Sequence, residues 1–479
     1  MKRKLLLCLL LGVLLWCTPA YAQNVSVQVP TFPVELNDVA YDNQRATYPL
    51  LVYQDVTYFP MTYRMTRSMG LITAWDNTKG LYIAQHDEGL YPEDEKMNGK
   101  NKLGGKYTAS IADYPIKVNS WSIDNSKEPY PLLNFRGVTY FPLSWRYAHD
   151  EFGWDIKWDA KTGLQVRSYQ DHGTVSSSYA LIQVNEKDAL FQEYITDYEE
   201  YTPEGGGIGY ARIGDRYRAY RLNYAADTLQ KVSDKEEEVT WKQDIGEDVR
   251  SEFTVRGNQI FYKGNALIEE LPEECLDHTN ILAYRFVSDS AHLLDVMVRY
   301  TETPAPYTPY VRYVFLETNG AVKKMTQWNE LDYPEKLYET QNAYYICSDA
   351  RNVFSRFYNT LSTVVKVDKA SGKETILNDL YSQYKSLEAI GVIDDKFYVR
   401  AIYFGDEDDL KRPDWYSNKV NLFQDGYFYI DSDDKLHKVH DYVDGEPFLA
   451  PNGKLYVYNS DTLQVINLTD HKKVTRLAD

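Results

Sequence analysis

His437 and His440 are the closest pair among eight histidines, and such a pair is the first place to look for a metal site. Their odd separation in a β-rich stretch sends the two rings to opposite faces of a strand, so they read as turn residues and not as ligands. Clustered oxygens of the kind calcium takes occur at Asp406-Glu407-Asp408-Asp409 and at Asp431-Ser432-Asp433-Asp434. Neither run has the glycine spacing of a calcium loop, and both read as solvated loops. Gly205-Gly206-Gly207-Ile208-Gly209 is followed by no Lys-Ser/Thr and opens no helix, so it cradles no phosphate. Gly-x-Ser-x-Gly, His-Glu-x-x-His and paired Cys-x-x-Cys motifs are absent. Tyrosine is the compositional outlier, 43 of 479 residues, and suits the packed faces of strands better than it marks a binding face. No catalytic, cofactor-binding or metal residue is assigned, and no cofactor is expected.

The elements that would position any such chemistry begin behind a leader. Met1-Lys2-Arg3-Lys4, an apolar run to Trp16 and Ala20-Tyr21-Ala22 have the form of a signal peptide cleaved after Ala22. The run is shorter than the ~20 residues that span a bilayer, and Trp16 sits where lipoprotein processing needs a small residue before Cys17. A secreted or cell-envelope protein, extracellular or periplasmic, with no membrane span is expected. Loss of residues 1–22 moves the formal charge from −18 to −21, which disfavours nucleic acid as a partner. Cys275 and Cys347 then remain in an oxidising compartment, where they form one disulfide or stay as buried thiols.

Residues 48–64 read YPLLVYQDVTYFPMTYR and residues 130–146 read YPLLNFRGVTYFPLSWR, an internal repeat offset by 82. Asn37 pairs with Asn119 upstream; Gly70, Trp75, Asp76, Gly80 and Leu81 pair with Gly153, Trp158, Asp159, Gly163 and Leu164 one residue out of step. In each copy two β-rich runs split by a turn predict a hairpin, followed by a helix. Met61, Met65 and Met69 mark the first helix face; Leu143, Tyr147 and Ala148 mark the second; Gly70 and Gly153 end them in left-handed backbone. A small antiparallel sheet over helices is expected in two half-units, 34–83 and 114–168, an α+β domain. Trp75 and Trp158, just past the helices, are expected in its core.

The order V-x-L-N, hairpin ending Tyr-Phe-Pro, helix, Gly, then Trp-Asp before Gly-Leu resembles the copper amine oxidase N-terminal, or stalk, domain over residues 30–168. The resemblance implies an accessory module of secreted and cell-wall proteins, since copper and quinone belong to a separate catalytic domain of the oxidases. The family's Pro-Leu-Arg is changed here, with Thr62 and Ser144 where arginine is expected and Arg64 and Arg146 two residues on. The oxidase's own signatures are missing: Asn223-Tyr224 is followed by Ala225, and there is no His-x-His.

Residues 168–178 read as a boundary. Beyond them, over 175–479, short aromatic and β-branched runs alternate with turn signals, as at residues 256–262, 393–399 and 451–458. Residues 364–377 and 463–477 read as outer hairpins of propeller blades, and the length fits five to seven. The region resembles bacterial β-propeller-like domains. The resulting expectation is a non-enzymatic protein whose stalk-like domain positions a propeller that binds a cell-wall glycan, a peptide or an extracellular protein. The alternative is an extracellular glycan-acting hydrolase or lyase with carboxylates on the propeller face.

Overall fold

The computed structural model describes residues 23–85, 97–119, 121–168, 175–202, 209–235, 246–272, 280–299, 310–327, 334–348, 362–384, 386–402 and 422–477. The expected signal peptide, the acidic run at 406–409, most of the glycine run at 205–209 and Cys275 lie outside them. The chain divides into two compact units, Met1–Asp171 and His172–Asp479. Among the described residues no helix is long and apolar enough to cross a membrane.

In the first unit the repeated words become repeated elements. The first copy supplies β1 (Asn24–Gln28), β2 (Val34–Leu36), β3 (Val39–Ala40), β4 (Leu51–Tyr53), β5 (Val56–Pro60), helix α1 (Tyr63–Ser68), β6 (Leu71–Asp76) and β7 (Gly80–Gln85). The second supplies β8 (Lys106–Ile111), β9 (Ile116–Val118), β10 (Trp121–Ser122), β11 (Leu133–Phe135), β12 (Val138–Pro142), a π-helical turn α2 (Arg146–Glu151), β13 (Asp155–Asp159) and β14 (Gly163–Arg167). The expected hairpins form, with Gln54-Asp55 between β4 and β5 and Arg136-Gly137 between β11 and β12, all four turn residues at positive φ.

Six strands close a barrel in the order β1-β4-β5-β12-β11-β8. Successive strand residues face opposite ways, so Tyr58 and Tyr140 fill the barrel while Phe59 and Phe141 face a second core that also takes Met65, Met69, Tyr147 and Trp154. Phe59 and Phe141 stand opposite each other where β5 meets β12, which marks a local twofold between the copies. The remaining strands are exchanged. β6 and β7 pair with β9 and β10, while β13 and β14 pair with β2 and β3, through parallel joins β7–β9 and β14–β2. At these joins Gly80 and Gly163 hold φ of 79° and 82°, and an added Cβ would lie 1.9 Å from the Pro115 carbonyl oxygen and 2.1 Å from that of Pro33. Only glycine fits there.

The α+β class is corrected: the unit is built of strands, and its helices do not form a layer. Each helical segment is six residues, about 9 Å at 1.5 Å per residue, and is cut off by Gly70 or Gly153 at φ 70° and 67°. The placement of the tryptophans is corrected as well. Trp75 and Trp158 are 54% and 56% exposed, although their partners directly across the hairpins, Leu81 and Leu164, are buried. Each indole instead lies edge-to-face at the corner, Trp75 on Tyr114 and Trp158 on Phe32. The buried indole is Trp154, which packs on Phe59 and Phe152 and donates to the Met69 carbonyl at 2.9 Å.

Among its described residues the second unit is a propeller-like succession of six antiparallel sheets. The first runs from Val175 to Lys235, the second from Phe253 to Ile268, the third from Asn280 to Lys324 with Glu247–Asp248 on its edge, the fourth from Pro334 to Ile376, the fifth from Ser386 to Asp441 and the sixth from Glu446 to Lys473. Apolar clusters join the second sheet to the third, the third to the fourth, the fourth to the fifth and the first to the sixth. The last strand, Thr475–Arg476, adds in parallel to Thr228–Lys235 of the first sheet. Beside it buried Asp227 accepts from Tyr456 Oη at 2.8 Å, Asn467 Nδ2 at 2.9 Å and Lys472 Nζ at 2.6 Å, which ties the first sheet to the sixth. The third sheet also buries a charge pair, Arg312 Nε to Asp295 Oδ1 at 3.1 Å. Burial pushes the Asp295 carboxyl up to about 6, although Arg312 pulls the other way.

Candidate functional site

In the third to sixth sheets the strands Asn280–Val287, Pro334–Glu339, Ser386–Ile393 and Glu446–Leu449 neighbour one another in turn. Where they run into their first turns they line an open pocket of about 440 Å³. Leu337 and Tyr338 of the fourth sheet, Ile390 to Ile393 of the fifth, and Leu449 and Pro451 of the sixth give it an apolar wall. Ser288, Asp289 and Glu339 give it polar groups. The fifth-sheet strand carries a bulge between Ala389 and Gly391, and the missing side chain of Gly391 leaves room against Leu449, whose Cδ2 would stand 3.3 Å from an added Cβ.

The rim is stitched from one sheet to the next. The Ser290 backbone N–H donates to Glu339 at 2.8 Å, its hydroxyl donates to the same carboxylate, and Lys369 Nζ approaches at 2.5 Å. Gln341 N–H in turn donates to Asp395 Oδ1 at 2.6 Å, and Tyr338 Oη donates to the Ile390 carbonyl at 3.3 Å. Burial works against the Glu339 charge, but the hydrogen bonds from Lys369 and Ser290 win and bring its pKa down to about 2. Glu339 is therefore an ionised carboxylate already supplied with donors. Asp289 differs: it is exposed on the turn, and among the described residues nothing donates to it.

Further along the fifth sheet's first strand, Glu388 accepts from Arg400 Nε at 2.5 Å, and Arg400 Nη1 donates to the Gly445 carbonyl at 3.0 Å. Burial disfavours this guanidinium charge, yet Glu388, Tyr427, Tyr442 and Glu446 hold it firmly protonated. Its hydrogen bonds are spent on joining two sheets.

The residues singled out by motif do not assemble. His437 bonds Asp431 at 2.6 Å and stacks on Tyr429, whereas His440 is buried and stacks on His471. Asp431 caps its own turn by accepting from the N–H groups of Asp433 and Lys435, and Asp434 pairs with Lys366. Among the described residues no group of three His, Cys, Asp or Glu is placed to hold a metal ion. Cys347 is a free buried thiol, pushed up in pKa by burial. Many tyrosines pack in the cores, among them Tyr220, Tyr427 and Tyr456. The pocket residues escaped the sequence reading because each comes from a different sheet. Their one trace is polar turn residues at Ser288-Asp289, Gln341-Asn342, Asp394-Asp395 and Asn452-Gly453, spaced at about one sheet apiece.

No protein-family model matches the chain, and no curated protein matches it. Solved structures do. Cobalt-substituted apocarotenoid oxygenase of Synechocystis overlaps 64% of this chain and 81% of its own, at 10% identity and a TM-score of 0.22. A substituted variant of that oxygenase overlaps 62% and 76%, at 9% identity and a TM-score of 0.23. The resemblance to the copper amine oxidase stalk domain is corrected: no family match supports it, and the first unit, built of strands, does not fit it. The expected non-enzymatic stalk-and-propeller binding protein is set aside with the resemblance that led to it. At these TM-scores the overlap carries no reaction, substrate or metal to this chain.

Proposed function

We propose that the second unit handles a small organic molecule in the pocket between its third to sixth sheets, in place of the polymer or protein partner expected from sequence. The observation that carries this reading is the convergence of residues from four separate sheets on one open pocket of about 440 Å³. Small-molecule sites run from roughly 300 to 1,000 Å³ and combine an apolar lining with a few placed polar groups. Leu337, Ile390 and Leu449 supply the first, and Ser288, Asp289 and Glu339 the second. The stitched turns hold the mouth in shape before anything binds, which limits the ordering cost of binding. The test is a screen of small organic molecules against the full chain by ligand-observed NMR, repeated on Gly391→Leu, whose side chain would crowd the pocket at Leu449. Hits that vanish in the variant place the site here; hits that persist unchanged, or none at all, remove the reading.

A further inference from the structure

We infer that the molecule this pocket takes is an organic cation, an amine on a compact apolar body; the inference rests on the pocket being a small-molecule site. Among the described residues its lining contains no lysine or arginine, so an anionic ligand would meet two carboxylates there. Lys369, the cation beside Glu339, is already spent: it pairs with that carboxylate and lies over the Tyr344 ring at 4.6 Å. Glu339 is matched by Lys369 and Ser290, and adds little net field of its own. Among the described residues Asp289 at the rim has no partner, and it stands beside a wall of Leu337, Ile390, Ile393 and Leu449. A ligand that buries carbon against that wall and points an ammonium outward satisfies both parts of the site at once. The charge balance of the whole chain, 70 acidic against 52 basic residues, favours approach of the same class.

Phenethylamine, phenethyl alcohol and hydrocinnamate share a similar apolar body and differ in charge, so they serve as probes of the full chain by titration calorimetry at neutral pH and low salt. The amine should bind most tightly and hydrocinnamate least, and Asp289→Asn should weaken the amine about threefold to tenfold while leaving the alcohol unchanged. Gly391→Leu should abolish binding of both. If the alcohol binds as well as the amine, Asp289→Asn changes neither and Gly391→Leu removes both, the pocket stands and the cation inference falls. Tighter binding of hydrocinnamate overturns the inference in the same way. If no probe binds, or binding ignores Gly391→Leu, the pocket reading and the inference fall together.

Discussion

Asn37 and Asn119 make the same clamp on opposite copies of the repeat. Both hold left-handed backbone, at φ 48° and 45°. Asn37 donates to the Ser68 carbonyl at the end of α1 at 2.9 Å and accepts from the Ser168 N–H beyond β14 at 2.8 Å. Asn119 donates to the Glu151 carbonyl at the end of α2 at 2.6 Å and accepts from the Gln85 N–H at the end of β7 at 2.9 Å. Each side chain therefore joins the helix of its own copy to the last strand of the other.

Alanine at either position strands a carbonyl and an N–H and keeps a left-handed backbone that alanine tolerates poorly. Asn119→Ala, the more buried, is expected to cost ~1–3 kcal/mol, and Asn37→Ala less. Urea unfolding of the full chain followed by tryptophan fluorescence checks this. Equal stability of wild type and Asn119→Ala would show that the clamp is idle.

The two kinds of tryptophan should separate sharply. Trp154→Ala empties a buried site and is expected to cost ~3–5 kcal/mol, whereas Trp158→Ala loses one edge-to-face partner and should cost about 1 kcal/mol. Thermal unfolding of the two variants side by side decides it, and a reversed order would contradict the packing described.

Removing Arg312 alone leaves the Asp295 carboxylate buried without its partner, so Arg312→Leu should cost ~3–5 kcal/mol. The double change Asp295→Leu with Arg312→Leu should recover most of that loss, because two apolar side chains need no counter-charge. Denaturant midpoints of wild type, Asp295→Leu, Arg312→Leu and the double variant form the cycle, and a double variant no better than Arg312→Leu would argue against the pair.

Glu339 sets a pH dependence. Its folded pKa, about 2, lies below the ordinary 4.5, so the folded state holds fewer protons than the unfolded chain between those values. The stability it contributes is complete above about 4.5 and is lost as pH falls toward 2. Glu339→Gln should flatten that part of the stability profile without changing its slope above pH 6. Asp295 works in the opposite sense, its contribution fading as pH rises through about 6. Melting temperatures across an acid series for wild type and Glu339→Gln test the assignment; superimposed curves would refute it.

What could be read from the sequence was local. Gln54-Asp55 and Arg136-Gly137 fix hairpins because two residues decide a turn, and Gly70 and Gly153 stop helices for the same reason. Met65 and Tyr147 point inward as their spacing requires. The spacing overstated α1 and α2, since only six residues of each segment that ends at Gly70 or Gly153 are helical, too few to form a layer. Trp75 went astray because strand periodicity gives the face of a sheet but not how far toward its corner a ring sits. Asp289, Glu339 and Gly391 were invisible as a group, because only the order in which sheets pack brings them within one pocket.

The exchange of strands between the copies of the repeat has a consequence for what one copy could do by itself. β2 completes a sheet begun by β14, and β9 one begun by β7, so a single copy would expose two unsatisfied edges and half of an open barrel. Two separate chains, each one copy long, could relieve one another through the same pairings and would form an obligate homodimer. Fusing them in tandem turns that encounter into an intramolecular one, at millimolar effective concentration for a short connection. The first unit thus has the symmetry of a dimer and the dilution behaviour of a monomer.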